Sequence, residues 1–314
     1  MTKYRRRTLP QKRNELELGT FNMSKIRKAV VPAAGYGTRF LPMTKASPKE
    51  MLPIIDKPII QYVVEEAVAS GIEDIFIVTG SNKRAIEDHF DHNSELESYL
   101  ESAGKLEQLE EIRKIARMAN FVYIRQKGPY GNGTPILNCE NVIGNEPFAV
   151  LWADQFTIAR EPRLKQMITA FKQYNDPVLS FVKAKSDADY DRYGVPEVKM
   201  IGNGIHEIIE IREKPGRENA PSDLVSDGGY ILTPDIFEAL RETEVGKGNE
   251  LWLVDGINKL KKNHKLYACE IEGGKYYDTG NKLEYLKANV DFGLSRPDIN
   301  GEFAKFIRET AETL

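Results

Sequence analysis

The 314-residue chain is poor in the features that would fix its class at a glance. It has only two cysteines, Cys139 and Cys269, far apart and in no C-x-x-C spacing. That excludes a disulfide framework and a structural zinc site, and leaves both as small core residues. Nowhere does an apolar run approach the ~18 residues that a bilayer crossing requires. The basic start (Lys3, Arg5, Arg6, Arg7, Lys12, Arg13) has no apolar stretch of the kind a secretory signal needs, so a cytoplasmic protein without membrane partners is expected. Charge of one sign is scarce too: a net −3 gives no bulk attraction to nucleic acid, so phosphate recognition must be local. The four histidines (His89, His92, His206, His264) stand outside every motif below and read as surface or core residues.

What remains, 41% hydrophobic and 29% charged, is the composition of a globular protein with a sizeable core. Residues 1–23 mix arginine, lysine, proline and glutamate without apolar periodicity, which predicts a disordered basic extension. Strands and helices then alternate. Lys28 to Ala33 reads as a buried strand. Ile60, Val63, Val64, Ala67 and Val68 carry helical spacing behind Pro58 and stop at Gly71. Ile75 to Thr79 is a second strand, and further strands are predicted at 121–125, 148–153, 178–183, 207–212, 228–232 and 267–272, with helices at 284–293 and 301–311. Leu96, Tyr99, Leu100, Leu106, Leu109, Ile112 and Ile115 predict an amphipathic helical pair broken at Gly104, which either packs on its own domain or meets a partner. Strand, helix, strand in this order predicts a parallel sheet with ligands at the carboxyl ends of its strands.

The run Pro32-Ala33-Ala34-Gly35-Tyr36-Gly37-Thr38-Arg39-Phe40-Leu41-Pro42 leaves the first strand, and Ser47-Pro48-Lys49-Glu50-Met51-Leu52-Pro53 follows. Two close glycines let backbone amides approach a polyphosphate, and Arg39 and Lys49 bring the cations to neutralise it; taken singly, both are ordinary surface charge. A dinucleotide fingerprint would need a third glycine where Phe40 stands, which tells against a dehydrogenase, and no Walker-type G-x-x-x-x-G-K-[ST] occurs. Phe148-Ala149-Val150-Leu151-Trp152-Ala153-Asp154 is an apolar strand ending in a carboxylate. There Asp154 either caps a turn or faces the ligand crevice, where it suits a hard divalent ion such as Mg2+. Asp278, in Tyr277-Asp278-Thr279-Gly280-Asn281-Lys282, reads as a turn residue and helix N-cap. Glu213-Lys214-Pro215 on its own is a polar strand end.

The string Gly-x-Gly-Thr-Arg, then Leu-Pro, then Pro-Lys-Glu-Met-Leu-Pro, continued by Asp56-Lys57-Pro58-Ile59-Ile60-Gln61-Tyr62, resembles the signature of the sugar-nucleotide pyrophosphorylases, over most of residues 25–295. The Lys-Glu-Met-Leu-Pro form points to the bacterial UDP-glucose branch. The resemblance implies an α/β, Rossmann-like three-layer sandwich with a mostly parallel mixed sheet. It implies a catalytic domain over 24–295, with a nucleotide half to about residue 155 and a sugar half beyond it, then a helical tail over 296–314. The implied substrates are UTP and glucose 1-phosphate, with Mg2+ between Asp154 and Asp278, which can keep a capping role as well. Ala33, Ala34, Gly35, Gly37, Thr38, Arg39, Glu50, Gln126 and Gly131 would meet the nucleotide. Arg39 would hold the leaving pyrophosphate, and Lys49 the phosphates. Gly194, Glu213, Lys214 and Gly228 would form the sugar pocket, Lys214 reaching the sugar phosphate. Glu250 to Asp255 matches a family stretch that is either a contact or a helix start.

The chain departs from the family pattern at Thr134-Pro135, where relatives read His-Ala, and at Gln155, where many carry a second acid. Base and sugar choice therefore stay open to thymidylyl or guanylyl transfer, and a non-catalytic nucleotide-sugar sensor is the reading from another class. A homo-oligomer is compatible with all of these.

Overall fold

The computed structural model describes residues 25–313, so the basic extension expected over 1–23 lies outside the described residues. The strands are β1 (Lys28–Pro32), β2 (Pro53–Ile54), β3 (Lys57–Pro58), β4 (Asp74–Thr79), β5 (Asn120–Arg125), β6 (Phe148–Leu151), β7 (Gln155–Ala159), β8 (Val178–Lys183), β9 (Gly194–Gly202), β10 (Ile205–Glu213), β11 (Leu224–Leu232), β12 (Tyr267–Glu270) and β13 (Gly274–Asp278). Nine of them form one sheet in the order β5-β4-β1-β6-β11-β8-β12-β10-β9. Only β10 and β11 run against the rest, which makes the sheet mixed with a parallel majority of strand directions.

Alternation along the central strands builds three layers. Ala29 and Val31 of β1, Ile75 and Ile77 of β4, and Ala149 and Leu151 of β6 face one core, packed under the helices Ile59–Ala69 and Arg163–Tyr174. Val30, Phe76, Val78, Phe148 and Val150 face the opposite core, covered by the helices Asp235–Arg241 and Leu253–Leu260. Side chains that alternate across a pleat and are apolar on both faces need a helical layer on each side. Cys139 and Cys269 are buried and unbonded to each other, as the composition predicts.

The predicted helical pair is present as Ser94–Ser102 and Leu106–Ala116. It tucks Leu100 and Leu109 into the fold and leaves Leu96, Tyr99 and Leu106 exposed. The predicted 301–311 helix is Asn300–Ala311. Among the described residues no helix is long and apolar enough to cross a membrane.

After β1 the chain builds outward through β4 to β5, then returns to place β6 on the other side of β1. Such a reversal opens a crevice at the carboxyl ends of the two diverging strands. The Ala33 to Arg39 turn leaves β1 there and Asp154 lies just beyond β6. A separate two-stranded ladder pairs β13 with β7 in antiparallel register, Asp278 opposite Gln155. This ladder carries the second acid to the first.

Candidate active site

Strand pairing continues one residue past β1, Ala33 N donating to Val78 O at 2.8 Å, so Ala33 is buried and Ala34 is the first residue to face the crevice. Gly35 has no heavy atom within 4 Å of where a Cβ would stand, which leaves its backbone open to a ligand. Gly37 has φ 67°, and a Cβ there would lie 3.1 Å from both Lys49 and Thr44, so it lets the Lys49 segment pack against the turn. Thr38 and Arg39 are exposed in the short helical turn that follows.

Four of the predicted residues converge on Gly280. Arg39 Nη1 donates to Gly280 O at 3.2 Å. A Cβ built on Gly280 would stand 2.8 Å from Asp154 Oδ2 and 3.1 Å from Asp278 Oδ1, which brings both oxygens close to one small cradle. Lys49 closes the set with an ion pair to Asp154. Asp154 also anchors the ladder through its backbone: its carbonyl accepts from Thr279 N at 3.0 Å and from Thr279 Oγ1 at 2.7 Å. Asp278 Oδ2 accepts from Arg192 Nη2 at 2.7 Å and from the Tyr193 hydroxyl at 2.6 Å.

Burial alone would push the Asp154 carboxyl up, but Lys49 and Arg39 outweigh it and hold the group below the usual carboxylate range. Lys49, opposed by burial and favoured by Asp154 and Glu50, keeps its proton more firmly than an ordinary lysine. Two carboxylates beside a side-chain-free cradle fit a divalent ion that completes its shell with phosphate and water oxygens. Among the described residues no group of three or more His, Cys, Asp or Glu could hold a metal, which makes a closed all-protein site, the kind a structural zinc needs, a poor match.

A cavity lies on each side of this centre. One, of 480 Å³, is lined by Ala34, Tyr36, Gly80, Gln126, Gly128 and Tyr130. Tyr36 and Tyr130, both more than half exposed, meet across its mouth through their hydroxyls, with ring centroids 5.7 Å apart. The other, of 170 Å³, includes Gly194, Glu213, Lys214 and Gly228, all four predicted sugar residues, with Trp152, Tyr230 and Trp252. Gly194 faces Glu213 across β9 and β10, and a Cβ on it would press within 3.3 Å of the Glu213 carboxylate. Lys214 takes a left-handed backbone, φ 50°, and sits 5.1 Å over the Trp252 ring. Burial pushes the Glu213 carboxyl up, with Lys214 pulling it partly back.

A family model described as nucleotidyl transferase matches residues 28–293. The chain belongs to that family. It is 45% identical over 295 residues to the UTP–glucose-1-phosphate uridylyltransferase YngB of Bacillus subtilis (strain 168), across 92% of this chain and 99% of that one. Among solved structures, a UDP-glucose pyrophosphorylase complexed with UDP-glucose superposes with TM-score 0.79 at 43% identity, covering 87% of this chain and 100% of that one. The UTP-bound UGPase from Acinetobacter baumannii gives TM-score 0.83 at 37% identity, over 91% and 99%.

Two expectations are corrected in this nucleotidyl transferase. Glu50 is 1% exposed and ion-paired with the equally buried Lys83 at 2.7 Å, so it braces the Lys49 turn from within and is out of reach of a nucleotide. Burial drives the Lys83 ammonium down, with Glu50 opposing. Gly131 packs tightly, since at φ 121° a Cβ would fall 2.2 Å from the Leu251 carbonyl oxygen, so only glycine fits there. The N-cap expected of Asp278 belongs to Asn281, whose side chain accepts from Leu283 N and Glu284 N at 2.9 and 3.3 Å.

Sequence reading missed Arg192, the partner of Asp278, as well as Trp152 and Asn132. Trp152 was visible as the one large aromatic interrupting the strand end before Asp154. Asn132 gave no such signal; it receives Leu253 N at 2.7 Å and so ties the glycine loop to the Leu253–Leu260 helix.

Proposed function

We propose that this chain transfers a uridylyl group from UTP to glucose 1-phosphate, giving UDP-glucose and pyrophosphate, with Mg2+ held by Asp154 and Asp278. The observation that carries this reading is the meeting of Arg39, Lys49, Asp154 and Asp278 around Gly280, between two cavities sized for a nucleoside and a hexose.

The base enters the larger cavity, where the Gln126 amide offers a donor and an acceptor to the uracil edge. Backbone amides of the Gly35 turn face the triphosphate, and Arg39 holds the outer phosphates that leave. Glu213 accepts hydrogen bonds from sugar hydroxyls, and Lys214, steadied over Trp252, meets the sugar phosphate. A phosphate oxygen of glucose 1-phosphate attacks the α-phosphorus. The new P–O bond forms as the α–β bridging bond breaks in line, and pyrophosphate carries off the electron pair. No covalent enzyme intermediate is required, since placement and charge neutralisation supply the catalysis. When bound, the divalent ion neutralises α-phosphate charge. Lys49, drawn from Asp154, is then free to bind phosphate.

The test is pyrophosphate release from UTP, measured with and without glucose 1-phosphate and with and without Mg2+. Release is expected only with both present; sugar-independent release would sink the transfer reading. The same assay with other nucleoside triphosphates sets the base preference.

A further inference from the structure

Beneath the smaller cavity lies a set of buried charges that the transfer reaction does not use. Arg163 is fully buried. Its guanidinium forks onto Glu66, Nε to Oε1 at 2.9 Å and Nη2 to Oε2 at 3.0 Å, and Nη1 donates to the Asp227 carbonyl at 2.5 Å. Asp227 is also fully buried, its carboxylate 3.7 Å from Arg163 and in contact with the Ser180 hydroxyl. Ser180 Oγ donates toward Asp227 Oδ1 and the Gly229 carbonyl, the latter at 3.1 Å, and accepts from Gly229 N at 3.0 Å.

Between Ser226 and Tyr230 the pairing of β11 with β8 slips: the partner advances only from Phe181 to Leu179, so Asp227, Gly228 and Gly229 form a bulge over Ser180. The lower side of that bulge rests on the charges. A Cβ on Gly229 would fall 2.5 Å from Ser180 Oγ and 3.4 Å from Arg163 Nε. Its upper side is the sugar cavity. Gly228, at φ 81°, would drive a Cβ to 2.2 Å from the Gln155 side chain and 2.3 Å from Trp152. Trp152 N in turn donates to Gly228 O at 3.4 Å.

We infer that Arg163, Ser180 and Asp227 form a positioning device that fixes the Asp227 to Gly229 bulge, and through Gly228 and Trp152 sets the shape of the sugar pocket. Buried ions of this kind contribute little net stability relative to apolar packing, because desolvation offsets their attraction. They do impose a unique geometry when their hydrogen bonds are directional, and bulges beside active sites re-aim the chain. Here the directional bonds end on the backbone of the bulge itself. The inference rests on the sugar-pocket reading above.

The decisive variant is Ser180→Ala, which removes the one atom joining Asp227 to Gly229 and adds nothing. The KM for glucose 1-phosphate is expected to rise about tenfold or more, while the KM for UTP stays within about twofold. The only two tryptophans of the chain, Trp152 and Trp252, both line this pocket, so intrinsic emission of the unliganded variant should shift as well. Lowered thermal stability with an unchanged glucose 1-phosphate KM would overturn the inference, as would an equal rise in both KM values. Should Ser180→Ala fail to fold, the near-isosteric Asp227→Asn is read by the same split. A wild-type protein with no sugar-dependent pyrophosphate release would instead refute the proposed function.

Discussion

Lys49 and Asp154 neutralise each other at the centre of the site, so either one alone changes the charge its neighbour presents. Asp154→Ala is expected to lower turnover by at least about tenfold, a barrier change of ~1.4 kcal/mol, with the far-ultraviolet dichroism unchanged. Activity persisting above about a tenth would remove Asp154 from the proposed metal site. At this scale the sequence was informative about where a residue stands on the backbone. Asp154 ends an apolar strand, and Gly35 and Gly37 leave another. It was blind where a side chain's job depends on a partner brought in by the fold. Glu50 looked like a ligand residue because nothing in Pro48-Lys49-Glu50 announces Lys83, thirty-three residues on, as its buried counter-ion. Only the fold shows Leu251 pressed against Gly131.

The ladder of β7 and β13 is the element that matters most for assembly, and Asn281 starts the Lys282–Ser295 helix directly after it. Replacing Asn281 by alanine strands two amide donors and should destabilise the protein by about 1 kcal/mol in urea unfolding. Because Arg39 binds the adjacent Gly280 carbonyl, the same change should also weaken turnover, and loss of stability alone would show that the cap and the site are uncoupled. Helices and buried strands were legible from periodicity, and Val178–Lys183 matches its predicted bounds. The strands β7, β9 and β13 were not. Gly194–Gly202 runs along the sheet edge as Val-Pro-Glu-Val-Lys-Met-Ile between two glycines, with Met200 76% exposed, so no apolar alternation marks it. Gly274–Asp278 is short and outside the main sheet, and its pairing with β7 is fixed by register rather than composition.

Over the whole molecule, carboxylates tied to cations set the response to acid. Hydrogen bonds from Arg27 and Lys28 hold Glu146 below the ordinary glutamate range. Those bonds, Arg27 Nε at 3.0 Å and Lys28 Nζ at 2.9 Å, tie the turn before β6 to the start of β1. A depressed folded pKa means that the stabilisation is complete above the unfolded glutamate value, about 4.3, and drains away as pH falls through the folded one. Melting temperatures of wild type and Glu146→Gln should therefore differ near neutral pH and begin to converge only once pH falls below the unfolded glutamate value; a gap independent of pH would assign the difference to packing.

Asp154 and Asp278 stand 124 positions apart, and the strand that delivers the later one forms only once its partner, β7, has something to pair with. During synthesis, then, a ribosome-bound chain ending before Asp278 contains the glycine turn, Arg39 and Lys49, but only one of the two acids. The order of the strands thus brings the two acids of the proposed metal site together only after nearly all of the described polypeptide has been made.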